Sequence, residues 1–115
     1  MDRIEKLFSK LDDKTDCALI TSDINRRYFT GMKSSAGCLV VFREKAYLLI
    51  DFRYIEKARN TVKNAEVIEQ TDFINQLKEL LEKHNAKNIA IEAETMTVKE
   101  LSLYKSKLSE YSFIE

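Results

Sequence analysis

Apolar positions along this chain recur in two rhythms, and the rhythms alternate. Ile4, Leu7, Phe8 and Leu11 fall at helical spacing, which predicts an amphipathic helix over residues 2–12. The next apolar stretch, Cys-Ala-Leu-Ile-Thr at 17–21, is short and continuous, the pattern of a buried strand. Asp23 is placed to cap a short helix over 24–29, in which Ile24 and Tyr28 lie one turn apart. Two further runs, Cys-Leu-Val-Val-Phe at 38–42 and Ala-Tyr-Leu-Leu-Ile at 46–50, are separated only by Arg43, Glu44 and Lys45. So short a polar connector predicts an antiparallel hairpin. Asp51 then caps a helix over 52–62, with Phe52, Ile55 and Val62 expected to face inward and Ala58 to lie close to the sheet.

Residues 65–69 read as a weaker strand. Beyond them Phe73, Ile74, Leu77, Leu80 and Leu81 form one continuous apolar stripe. A helix of that length is marginal alone in water, so it must lie on a sheet. Residues 88–92 supply another strand. Thr97 and Glu100 form a capping box ahead of a helix lined by Val98, Leu101, Tyr104 and Leu108, and a last strand begins near Tyr111. Strands alternating with helices imply an α/β sandwich, and the hairpin makes its sheet mixed. The 115 residues suffice for one core and one domain.

Composition narrows the function classes. Hydrophobic residues at 44% and charged residues at 33% describe a globular domain and not a disordered one. Lysine plus arginine equals aspartate plus glutamate at 19 each, which argues against a nucleic acid or an anionic membrane as the main partner. No apolar run approaches the roughly 18 residues of a membrane span, and the first residues lack the apolar stretch of a signal peptide. A cytoplasmic location is therefore expected. Cys17 and Cys38 read as small core residues. With His84 they cannot make a tetrahedral zinc site without carboxylate help. His84 reads as a cap or surface residue at a helix C-terminus, and Arg26 and Arg27 as solvated or ion-paired.

Four carboxylates, Asp23, Asp51, Glu92 and Glu94, follow predicted strands. Gathered at one sheet edge they could hold magnesium for a two-metal nuclease. An antiparallel hairpin strand would send its carboxylate to the other edge. A separate reading is a stand-alone module that recognises a protein through a sheet edge or the 30–37 loop.

The chain has two glycines and no proline, and both glycines fall between residues 30 and 38. Gly31 suits the positive φ that closes a helix, and Gly37 lets the chain enter the hairpin.

Three blocks carry a family resemblance: Asn-Arg-Arg-Tyr-Phe-Thr-Gly (25–31), Ser-Ala-Gly-Cys-Leu-Val-Val (35–41) and Leu-Leu-Ile-Asp-Phe-Arg-Tyr-Ile-Glu-Lys-Ala (48–58). Together they resemble the N-terminal domain of creatinase, prolidase and aminopeptidase P, the pita-bread metallopeptidases that act on Xaa-Pro bonds. Asn25, Arg27, Tyr28, Thr30 and Gly31 match the first family motif, and Asp51, Arg53, Tyr54 and Ala58 the second. Phe29 stands where leucine is usual and Met32 where an aromatic is common. The resemblance implies a ribonuclease-H-like three-layer sandwich, with a mixed sheet of about six strands and helices on both faces.

It also implies a division of labour. The family's ligands for two divalent metal ions (manganese, cobalt or zinc) belong to a C-terminal catalytic domain absent from this chain. No cofactor is then expected in residues 1–115, and the chain alone is expected to be inactive. The implied partners are that catalytic domain and a second subunit. In dimeric members the 30–37 region lies near the dimer contact and the partner's active-site mouth. Thr30, Gly31, Met32, Lys33, Ser34 and Ser35 are the candidates for shaping substrate entry.

Overall fold

The continuous apolar runs of the sequence become the centre of a six-stranded mixed sheet. The computed structural model describes residues 4, 6, 7, 11, 14–32, 37–92 and 96–114. Its strands are β1 (Cys17–Ile20), β2 (Cys38–Phe42), β3 (Ala46–Ile50), β4 (Glu66–Glu69), β5 (Asn88–Ala90) and β6 (Ser112–Ile114). They lie in the order β4-β3-β2-β1-β5-β6. β1, β2 and β3 form an antiparallel meander, whereas β4 runs parallel to β3, β5 to β1, and β6 to β5. Every residue of β1, β2 and β3 is buried. Strands covered on both faces read as unbroken apolar runs, which is why these three lack polar alternation. The edge strand β4 exposes Glu66 and Glu69, charges that discourage edge-to-edge pairing.

Among the described residues, the α-helices bounded at both ends are α1 (Asp23–Thr30), α2 (Ile55–Thr61), α3 (Phe73–Lys83) and α4 (Val98–Lys107). Alternate strand residues point to opposite faces. Leu19, Val40, Phe42, Tyr47 and Leu49 meet Leu77, Leu80 and Leu81 of α3, with Leu108 and Tyr111 after α4. On the other face Ala18, Ile20, Leu39, Val41, Leu48 and Ile50 meet Ile4, Met32, Ala58 of α2 and Val62. Two cores with one sheet between them make the three layers. Of the expected first helix, Ile4, Lys6 and Leu7 are helical, and Phe8 lies outside the described residues.

Phe52 and Val98 depart from the sequence pattern. Phe52 was expected to face inward but is 69% exposed. The helix expected over 52–62 opens as a 3-10 turn, Phe52–Tyr54, ahead of the α-helix that begins at Ile55, and Phe52 on that turn faces solvent. Val98, expected to line α4, is 83% exposed because it is the first helical residue, whereas Leu101 and Tyr104 farther along are half-buried.

Candidate functional site

The first family block begins where β1 turns into α1. Ser22 is the N-cap of α1, and its hydroxyl accepts the Asn25 N–H at 3.2 Å. Asp23, expected as the cap, is instead the first helical residue; its charge there still meets the favourable end of the helix dipole. Glu92, just beyond β5, reaches across to the same turn. One of its oxygens accepts the backbone N–H groups of Thr21 and Ser22, the latter at 2.8 Å. The other accepts the Ser22 hydroxyl at 2.8 Å and the side-chain amide of Asn25. Burial works against a charge on Glu92, but the bonds from Asn25, Ser22 and Thr21 outweigh it. They hold the carboxyl below its ordinary range.

The two neighbouring arginines have opposite fates. Arg26 is only 1% exposed, so the solvated reading fails for it. Its guanidinium donates to the Thr21 carbonyl and pairs with Asp23. Arg27, one position on and a hundred degrees round the helix, is exposed. Ile24 and Tyr28 also face outward, at 82% and 52% exposed, so the helix-spaced pair marks the outer face of α1.

At its far end α1 closes on Gly31, in the left-handed conformation at φ 78°, with the Gly31 N–H donating to the Arg27 carbonyl at 2.8 Å. The Thr30 hydroxyl donates to the Arg26 carbonyl at 2.7 Å and accepts the Met32 N–H at 3.2 Å. Thr30 and Met32 are buried, so of the first three loop candidates Gly31 is the one that meets solvent. Lys33, Ser34 and Ser35 lie outside the described residues. The Asn64 side-chain amide donates to the Phe29 carbonyl at 2.8 Å and ties down the same end of the helix.

Asp51 caps as expected. Its Oδ1 accepts the Arg53 N–H at 2.9 Å and the Arg53 Nε–H at 3.2 Å, which keeps the carboxyl low. The Arg53 guanidinium lies over the Tyr54 ring, 5.5 Å from its centroid. This second block builds a turn.

The carboxylates weighed as a magnesium site are thus engaged separately: Asp23 with Arg26, Asp51 with Arg53, Glu92 with the β1–α1 turn. Glu94 lies outside the described residues, among which no three His, Cys, Asp or Glu side chains come together to hold a metal ion. Glu92 and Asn25 border a cleft of about 230 Å³ between Leu7, Leu11, Phe29 and Ala90. Both Glu92 oxygens already accept hydrogen bonds, so the cleft offers apolar walls and not a charged handle. Cys17 and Cys38 are buried thiols. Burial pushes Cys38 up to about 12, against the pull of Arg26, and raises Cys17 as well, so neither is a reactive thiolate. His84 ends α3 as expected, but its ring stacks on Phe42 at 4.1 Å and its Nε2 shares a hydrogen bond with the Tyr47 hydroxyl at 2.8 Å. It is the half-buried cap of the helix, and its Nδ1 pairs with the exposed Glu44.

Residues 3–115 match the Creatinase/Prolidase N-terminal domain. The chain belongs to that family. It is 33% identical over 115 residues to the uncharacterized peptidase YqhT of Bacillus subtilis, covering 99% of this chain and 32% of YqhT. Among solved structures it superposes on the X-Pro aminopeptidase of Thermotoga maritima with a TM-score of 0.89 and 28% identity, covering 99% of this chain and 33% of that one. The Xaa-Pro dipeptidase of Bacillus anthracis gives a TM-score of 0.88 and 26% identity, covering 96% and 32%. The chain therefore spans about a third of these relatives. No helix among the described residues is long and apolar enough to cross a membrane.

The sequence reading missed Glu92 as a structural carboxylate and took it for a metal candidate. The available signal was a glutamate ending the apolar run 88–92, together with a motif asparagine at 25 able to donate to it.

Proposed function

We propose that this chain is the non-catalytic N-terminal domain of a cytoplasmic Xaa-Pro peptidase, where it contributes to dimerisation and controls substrate access. Its partners are the parent's own C-terminal catalytic domain and a second subunit. The observation that carries this reading is the match of residues 3–115 to a family of N-terminal domains, at about a third of the length of its peptidase relatives. The two divalent metal ions of the chemistry are assigned to the catalytic domain, since the described carboxylates here are engaged in capping and pairing. Within this chain the outer face of α1, with Ile24 and Tyr28, and the loop leaving Gly31 through Lys33, Ser34 and Ser35 are the surfaces assigned to access and contact. Loops on a rigid scaffold suit that task.

The purified chain is expected to release no N-terminal residue from an Xaa-Pro peptide, with or without manganese or cobalt. Metal-dependent release by the chain alone, measured by chromatography of the products, overturns the assignment.

A further inference from the structure

α1 is fastened to the domain mainly by polar contacts. Its buried side chains are Arg26 and Thr30, and neither supplies apolar area as a core leucine does. Ile24 and Tyr28 point away, and Phe29 is half-buried. An eight-residue helix has no independent stability in water. At its far end the helix is held by Phe29 against the core and by Asn64; at its N-terminus the contacts meet at one carboxylate. β1 and β5 run parallel through Cys17↔Ile89 and Ala18↔Ala90, so Glu92 and the Thr21–Ser22 turn emerge at the same end of the sheet.

We propose that Glu92 is a charge-dependent latch: its carboxylate fastens the first turn of α1 to the end of β5, and protonation releases the helix while the sheet persists. The chemistry lies in the donor count. Two backbone N–H groups, the hydroxyls of Thr21 (at 3.4 Å) and Ser22, and one side-chain amide all donate to this carboxylate. An ionised carboxylate only accepts and can meet them all; a protonated one brings a hydrogen of its own into a ring of donors. The backbone donors are fixed by the turn, so the proton meets a hydroxyl or the Asn25 amide; a hydroxyl can rotate to accept it, but at least one side-chain donor bond to the carboxyl is lost. Among the described residues, the ionisable groups about it include Arg26 and its partner Asp23 on α1, and Cys38 at the start of β2, which stays a neutral thiol. Because the folded carboxyl titrates below its ordinary value, the latch is fully present above about pH 4.3, the unperturbed value. It is lost as the pH falls through the lower, folded one. This linkage belongs to the domain itself and does not depend on the role proposed for the loop.

Amide hydrogen exchange, corrected for intrinsic rates, tests it on the whole chain. In Glu92→Leu at pH 7 the amides of α1 are expected to exchange roughly tenfold to a hundredfold faster, the range set by losing a hydrogen bond to a charged group. The amides of β2 and β3 keep their wild-type rates. Glu92→Gln, which keeps the shape without the charge, is expected to show at pH 7 the loosened α1 that the wild type shows only in acid. It should show no further change as the pH is lowered. Unchanged protection of α1 in Glu92→Leu, or loss of protection by helix and sheet together, contradicts the latch. If the variants do not fold, titration of the wild-type Glu92 carboxyl by NMR decides. Protonation without loosening of α1 overturns the proposal; loosening that tracks it supports the proposal.

Discussion

Gly37→Ala is expected to destabilise the domain by about 3 kcal/mol, because backbone strain and overpacking act at the same atom. Gly37 has a φ of 128°, a conformation that L side chains rarely adopt. A Cβ there would also meet the Leu49 carbonyl oxygen at 2.9 Å. That oxygen is backbone in a central strand, opposite Cys38 in the β2–β3 register, and cannot retreat without opening the ladder. Gly31 provides the control. Its φ of 78° is also positive, but a Cβ at that position meets nothing within 4 Å. Gly31→Ala should then cost only about 1 kcal/mol, and the β-branched Gly31→Val about 1–3 kcal/mol, from strain alone. Urea unfolding of the three variants measures the ranking. Equal losses for Gly37→Ala and Gly31→Ala would show that the approach to Leu49 is not tight.

Arg26→Ala is expected to lower stability by about 3 kcal/mol, whereas Arg27→Ala changes it by no more than about 0.5 kcal/mol. Truncating Arg26 empties a volume buried beneath α1 and removes the donor to the Thr21 carbonyl. Arg26→Lys should recover little of this, since a single ammonium cannot reproduce a guanidinium fork that reaches Thr21 and Asp23 together. Arg27 is exposed and offers no buried contact to lose. The comparison needs only thermal or denaturant midpoints. Matching losses at the two positions would mean that the buried guanidinium is no more important than the exposed one.

The elements with one consistent apolar period were legible. The stripe from Phe73 to Leu81 became α3, and the runs at 38–42 and 46–50 became the antiparallel β2–β3 pair. Asp51 and Gly31 were legible because capping chemistry is local. The sequence was misleading where the decisive partner is distant along the chain. Arg26 and Arg27 read alike, as solvated or ion-paired, until the fold buries Arg26, which pairs with Asp23. Glu92 looks like an unengaged strand-end carboxylate until β5 lands beside β1, seventy residues away from Ser22. His84 reads as a cap or a surface residue; it is the cap, and the packing of the Phe42 and Tyr47 rings on it could not be read because they come from the hairpin. Ile24 and Tyr28 show the converse error available to any pattern: helical spacing identifies a face but not the side of the helix that meets the sheet.

The family blocks resolve in the same way. Asn25 holds Glu92, Gly31 closes a helix and Asp51 holds a turn, so the residues that carry the resemblance include ones that shape the local backbone. The motif therefore reports on the scaffold, and the assignment of function rests on the family match.

The most direct measurement is the rate of Xaa-Pro peptide hydrolysis by a chimaera in which this chain replaces the N-terminal third of a peptidase relative. The account predicts a folded, metal-dependent enzyme with substantial turnover, whose rate or dimer affinity changes when Lys33 and Ser34 are replaced by alanine. A folded chimaera with no activity, or one whose kinetics and dimer affinity ignore both substitutions, would contradict it.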